Sequence, residues 1–220
     1  MEIKKLANNA LIFSINRFIE FFGLCVAVMG VLLLISLNSF SPDDPNFIFP
    51  ETTQIKNILG YRGSFSADLF FQSFGLISLL VPFSLIFTGI SIILNKKIFL
   101  IIESNFFTIL YLLCGSLFFS TFYTNAFELY IYGNGGFIGK YLETSFLNYL
   151  INANPHFTYY LLILIVLSLF LVTIQFNLIF FYKIIKKILR FLFLKKQKSY
   201  TNKNEIINEF IPQEQIKSLI

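Results

Sequence analysis

Charge is what this chain has least of. Only 13% of its 220 residues are charged, against 56% hydrophobic, which is too little to coat a water-soluble domain of this size. Tryptophan is lacking altogether, although phenylalanine supplies 30 residues. The only cysteines are Cys25 and Cys114, and His156 is the only histidine. Both cysteines fall inside apolar runs, where the expectation is of small hydrophobes without a reactive role. With one histidine they cannot make a zinc site, which takes roughly three or four protein ligands. No metal or other cofactor is expected. Nor is there an acid–base pair or a nucleophile beside a histidine, so no catalytic residue is expected.

Phosphate-binding signatures are lacking as well. The nearest approach to a Walker A loop is Gly139-Lys140, with Asn134 where its first glycine belongs and Tyr141 where Ser or Thr belongs. The glycines from Gly133 to Gly139 miss the dinucleotide fingerprint because Ile138 stands in place of its last glycine; they read as a flexible loop. The long apolar runs carry no Asp, Glu, Lys, Arg or His at their centres, where proton relays and ion-coupled transporters place one.

What the chain does have is length of apolar run. Phe157–Tyr182 is uncharged, and as a helix it would measure about 39 Å, enough to cross a hydrocarbon core of about 30 Å. It breaks into Lys183, Lys186, Lys187 and Arg190, followed by Lys195, Lys196 and Lys198. Cytoplasmic flanks of spans collect such residues. Three further runs, about 21–37, 69–94 and 104–126, complete an all-α membrane protein of four spans. Fourteen of the seventeen Lys and Arg fall on the side that this topology makes cytoplasmic. Both termini are therefore expected in the cytoplasm, with residues 1–20 before the membrane domain 21–190, and with 191–220 as a basic tail beginning a linker.

Details follow from local chemistry. Gly23, Ala27 and Gly30 share one face of the first span, where small residues let a second helix approach closely; the expected use is self-association. Ser41-Pro42-Asp43-Asp44-Pro45 is turn chemistry, with Asp capping its own backbone. Ser66-Ala67-Asp68 is placed to cap the second span, and Pro82 to kink it. Ser84 and Thr88 can satisfy backbone groups freed by that kink, or bond to neighbouring helices; Gln72, Gln175 and Asn177 read as interhelical partners. Ser116 and Ser120 repeat the small-xxx-small spacing. Leu142, Phe146, Tyr149 and Leu150 share one helical face opposite Lys140, Glu143 and Asn148, as in a short external amphipathic helix. Beyond Tyr182, Lys183, Lys186, Lys187 and Arg190 recur at helical spacing, as in a basic helix extension lying on the inner leaflet.

The order of the external motifs resembles a known family. Ser41-Pro42-Asp43-Asp44-Pro45 after a first span, then Asn57, Gly60, Gly63, Ala67, Asp68 and Leu69, is similar to the N-terminal four-span region of FtsK/SpoIIIE-type DNA translocases. Phe74-Gly75, Pro82 and Gly135-Gly136-Phe137-Ile138-Gly139 extend the likeness, which runs from about Phe21 to Arg190. The resemblance implies a membrane anchor at the division septum of a bacterial inner membrane, serving cell division and chromosome partition. Its implied partners are the lipid bilayer, further copies of itself and division-septum proteins, with DNA reached only through a motor that these residues do not contain. The rival reading is a small transporter or permease subunit, drawn from the kinked second span with Gln72, Ser84 and Thr88 nearby.

Overall fold

The computed structural model describes residues 2–45, 54–124, 132–145, 147–175 and residue 186. The chain divides into units Met1–Phe176 and Asn177–Ile220; every element below belongs to the first. All regular structure among the described residues is helical: α1 (Glu2–Asn38), α2 (Gly60–Phe74), a 3-10 segment (Gly75–Leu80), α3 (Val81–Asn95), α4 (Leu100–Phe122), α5 (Gly136–Glu143), α6 (Leu147–Ala153) and α7 (Pro155–Thr173). Four stretches are long and apolar enough to cross a membrane: Asn8–Asn38, Gly60–Asn95, Leu100–Phe122 and Pro155–Thr173.

α1 begins well before Phe21 because its only charges within the apolar stretch are neutralised locally. The Arg17 guanidinium binds the Glu20 carboxylate one turn on and lies over the Phe13 ring, 5.0 Å from its centre. Lys96, just past α3, reaches the same carboxylate at 3.4 Å, so the start of the apolar α1 stretch and the α3–α4 turn meet at one end of the bundle. That turn closes with Lys96 in the left-handed region, φ 55°, its N–H donating to the Ile92 carbonyl.

The second apolar stretch is not one helix. At Gly75 the backbone adopts φ 72°, ψ −149°, a conformation that suits glycine, and the six residues Gly75–Leu80 wind as 3-10 helix. Pro82, placed by the sequence at a kink, sits in the first turn of α3, where no intrahelical partner exists for its missing N–H. The break thus lies at Gly75, not at Pro82. From Gly75 to Asn95 the chain measures about 34 Å at about 2.0 Å per residue in 3-10 and 1.5 Å in α-helix, already enough for the crossing. α2 is left free to pack on the loop end of α1, where Ala67 and Phe71 bury with Leu37 against Phe40.

α1 packs along α3, and α4 along α7. Where the four meet, Ile77, Val81, Tyr111 and Leu112 form the core. The outer faces are apolar too: Phe18, Phe21, Met29, Leu164 and Leu167 are all more than half exposed. In water such a surface would drive aggregation; in a bilayer, lipid tails solvate it.

Candidate functional site at the loop end of the bundle

The motif residues gather at the end of the bundle opposite Lys96. Asp44, 3% exposed, accepts from the backbone N–H groups of Lys56 (2.8 Å) and Asn57 (2.9 Å), one on each carboxylate oxygen. It therefore staples the two sides of the 39–59 loop together, where the sequence predicted a cap on its own backbone. Asn57 continues the chain of bonds. Its Nδ2 donates to the Ser36 carbonyl at 2.9 Å, and its Oδ1 accepts from Leu59 N–H at 3.0 Å. Ser36 in turn donates to the Gly63 carbonyl at 2.6 Å. A Cβ at Gly63 would collide with the Asn57 amide, so glycine is required there by contact rather than by backbone angle. Gly60, at φ 64°, opens α2. That start displaces Ser66-Ala67-Asp68 from its predicted capping role: Asp68 lies two turns inside α2, 4% exposed, hydrogen-bonded to Gln72.

The glycine segment before α5 is the second half of this end. Asn134, 1% exposed, accepts through its carbonyl from Leu76 N–H at 2.9 Å, and its Nδ2 donates to the Tyr123 carbonyl. The segment therefore plugs the Gly75 break: the orphan N–H of the broken helix finds its partner in the loop between the third and fourth spans. Close approach is what the glycines allow. A Cβ at Gly136 would stand 2.6 Å from Gly75 N, and one at Gly135 would stand 2.5 Å from the Ser116 carbonyl. Gly139 packs on Ser116 as well, so Gly135 and Gly139 face Ser116 and Ser120 of α4, small against small. The predicted flexible loop is instead packed from Gly135 to Gly139, because at Gly135, Gly136 and Gly139 a neighbour's backbone takes the place of the missing side chain, while Gly133 faces open space.

Beyond it, the expected single amphipathic helix is divided. α5 ends at Glu143, where Thr144 N–H bonds back to the Lys140 carbonyl and Ser145 N–H to that of Leu142; α6 then starts separately. Glu143, expected on the water-facing side, receives the Ser120 hydroxyl of α4, while Tyr149 is 81% exposed. Phe146 lies outside the described residues. Asn154 caps α7, accepting from Phe157 N–H.

A ladder of hydroxyls joins the spans below. Tyr111 of α4 bonds Ser84 of α3 at 2.9 Å. Thr88, which donates to the Ser84 carbonyl, bonds Ser104 of α4, and Ser104 reaches the Thr173 carbonyl of α7 at 3.4 Å. All five side chains are buried. Gln175 ends α7 in the left-handed region; Asn177 lies outside the described residues. No cluster of three or more metal-ligating side chains occurs among the described residues.

This arrangement holds helices together; what it belongs to is decided by comparison. The model of the 4TM region of DNA translocase FtsK/SpoIIIE matches residues 16–186. The chain belongs to that family. Two curated relatives bear on it. The DNA translocase FtsK of Rickettsia bellii (strain RML369-C) is 27% identical over 82 residues, 36% of this chain and 11% of that protein. The DNA translocase FtsK of Rickettsia prowazekii (strain Madrid E) is 32% identical over 62 residues, 28% of this chain and 8% of that protein. The matched stretch thus spans about a tenth of these relatives. No solved structure matches the chain. The FtsK 4TM region is a membrane domain and not an ATPase motor, and this chain is a multi-pass membrane protein of that kind.

Within this FtsK 4TM chain, the predicted packing face is occupied. A Cβ at Gly23 would meet the Gly89 carbonyl at 2.8 Å, and one at Gly30 the Pro82 carbonyl at 2.9 Å; Ala27 stands against Gly89. The face expected to join two chains joins α1 to α3 of the same chain. Gly89 was not singled out by the sequence because it stands alone among bulky neighbours, and Asn134 was hidden among glycines. Of the predicted basic patch, Lys183, Lys187 and Arg190 lie outside the described residues, as does the whole tail beyond; Lys186 is exposed.

Proposed function

We propose that the chain is a membrane anchor of a septal DNA translocase, targeting or oligomerising a cytoplasmic motor in cell division and chromosome segregation. The observation that carries this reading is the loop end: of the residues that resemble the family's external motifs, Asp44, Asn57 and Gly63 lock into one another and Gly135 packs on α4, so the loops around them present a defined surface, with no catalytic grouping among the described residues. Such a surface suits docking to septal partners, and DNA contact falls to the motor. The permease reading needs polar groups facing a pathway; Ser84, Thr88 and Ser104 are instead engaged with one another and with backbone carbonyls. The same reading puts the chain in the bacterial inner membrane with both termini cytoplasmic, in keeping with the Lys and Arg bias.

A fluorescently tagged copy in dividing cells tests the role. Enrichment at midcell is expected, reduced by Asp44→Ala. An even distribution around the cell envelope would remove the septal reading. A reagent confined to the periplasm should label a cysteine introduced at Tyr149 and not one at Ser218; the reverse result would invert the topology.

A further inference from the structure

The loop end also carries a groove of about 370 Å³ between α1, α2 and α3, lined by Met29, Leu32 and Leu33, by Phe70 and Leu85, and by Arg62. We propose that it is a phospholipid site: one acyl chain of a phospholipid from the adjoining leaflet lies in the apolar channel, and its phosphate rests on the Arg62 guanidinium.

Three observations point to lipid. The groove opens onto the lipid-facing surface of α1, where Met29 is 64% and Leu32 45% exposed, so chains in the leaflet reach it by lateral diffusion. Its single charge is a cation near the start of α2, at the loop end where a headgroup belongs. Arg62 makes no ion pair among the described residues, and a guanidinium is well matched to phosphate oxygens, which it binds in bidentate fashion. A second copy of the chain is the weaker candidate because the described carboxylates at this end are engaged: Asp43 with Lys56, Asp44 with two backbone N–H groups, Asp68 with Gln72 and Glu143 with Ser120.

The lack of tryptophan makes the test direct. Phe70→Trp puts a single fluorophore in the groove; Phe21→Trp, on the exposed face of α1, reports bulk lipid. Each full-length variant is placed in dioleoylphosphatidylcholine vesicles doped with phosphatidylglycerol brominated on its acyl chains, or with diacylglycerol brominated identically. Brominated phosphatidylglycerol should quench the groove fluorophore at about fivefold lower mole fraction than it quenches the bulk-lipid reporter on α1, the factor expected for one cation beside an anionic headgroup. Diacylglycerol should show no such preference, and adding Arg62→Gln should abolish it. Equal quenching at the two positions, or a preference that survives Arg62→Gln, overturns the proposal, as does a groove fluorophore shielded from both lipids by protein. If Phe70→Trp does not fold, Leu32→Trp serves with the same expected outcomes.

Discussion

Two seams hold this bundle together, and they are built from opposite materials. Between α1 and α3 the contact is shape alone: Gly23, Ala27 and Gly30 lie on Gly89 and Pro82 with backbone against backbone. Among α3, α4 and α7 it is a relay of hydroxyls from Tyr111 through Ser84 and Thr88 to Ser104. In lipid neither seam has a hydrophobic driving force behind it, since tails are as apolar as Leu; close packing and hydrogen bonds are what remain. A shape seam fails when anything is added, whereas a hydroxyl seam fails by degrees when single bonds are removed. Substitutions in the two should therefore behave differently.

The largest effect belongs to the shape seam. Gly89→Leu forces a branched side chain into space held by the Gly23 carbonyl and the Ala27 backbone, and should destabilise the chain by about 3 kcal/mol or more, at or beyond the upper end of overpacking costs. Unfolding of the detergent-solubilised protein by titration with a denaturing surfactant measures it. Because the seam lies within one chain, the loss should be independent of protein concentration. A loss that disappears on dilution would return this face to self-association.

Next comes the staple at the loop end. Asp44→Ala leaves the buried N–H of Asn57 and that of Lys56 unpaired, at about 1–3 kcal/mol for each buried group stranded. Hydrogen exchange should show the 54–59 backbone amides released while those of α3 stay protected. Asp44→Asn, which keeps one acceptor oxygen, should recover part of the loss; full recovery would mean that the carboxylate's second bond contributes nothing.

That staple also shows where sequence reading reached its limit. The four helices were legible because apolar runs of that length have no other stable outcome in this composition. The small face of α1 was legible because its spacing is helical; its partner was not, since one glycine on α3 carries no period. Pro82 drew the kink to itself because proline is the loudest local signal, while the actual break at Gly75 depends on a carbonyl from Asn134, far along the chain. Asp44 reads as a local cap for the same reason: side-chain chemistry names what a residue can bond, and only the fold says to which backbone. The gathering of Asp44, Asn57 and Asn134 at one end is long-range information of that kind.

In the hydroxyl seam, Tyr111→Phe removes the bond to Ser84 and leaves the ring against Phe170. Ser84 retains its own bond to the Leu80 carbonyl, so the cost should be about 1 kcal/mol, the scale of a single interhelical bond in a membrane protein. The same surfactant titration reads it. A loss as large as that of Gly89→Leu would erase the distinction between the seams.

The smallest effect lies outside both. Lys56 and Asp43 pair at 2.7 Å with most of each side chain in water, where screening and side-chain entropy cancel most of the attraction. The hydrogen bond to Asp43, followed by its charge, raises the Lys56 pKa above 10.5. A folded-state value above the unfolded one means that the pair's contribution is complete below pH 10.5 and fades as pH rises through the folded value. Lys56→Met should thus lower stability only slightly at neutral pH, less than Tyr111→Phe does, and mutant and parent should converge as the lysine of the parent deprotonates. A difference between mutant and parent that persists unchanged through the alkaline range would show that the lysine's charge is not what the pair contributes. The backbone bonds of Asp44, one residue away in sequence but buried, should survive the alkaline range in which the exposed pair is lost, so a single pH series separates the two halves of the Asp43-Asp44 motif.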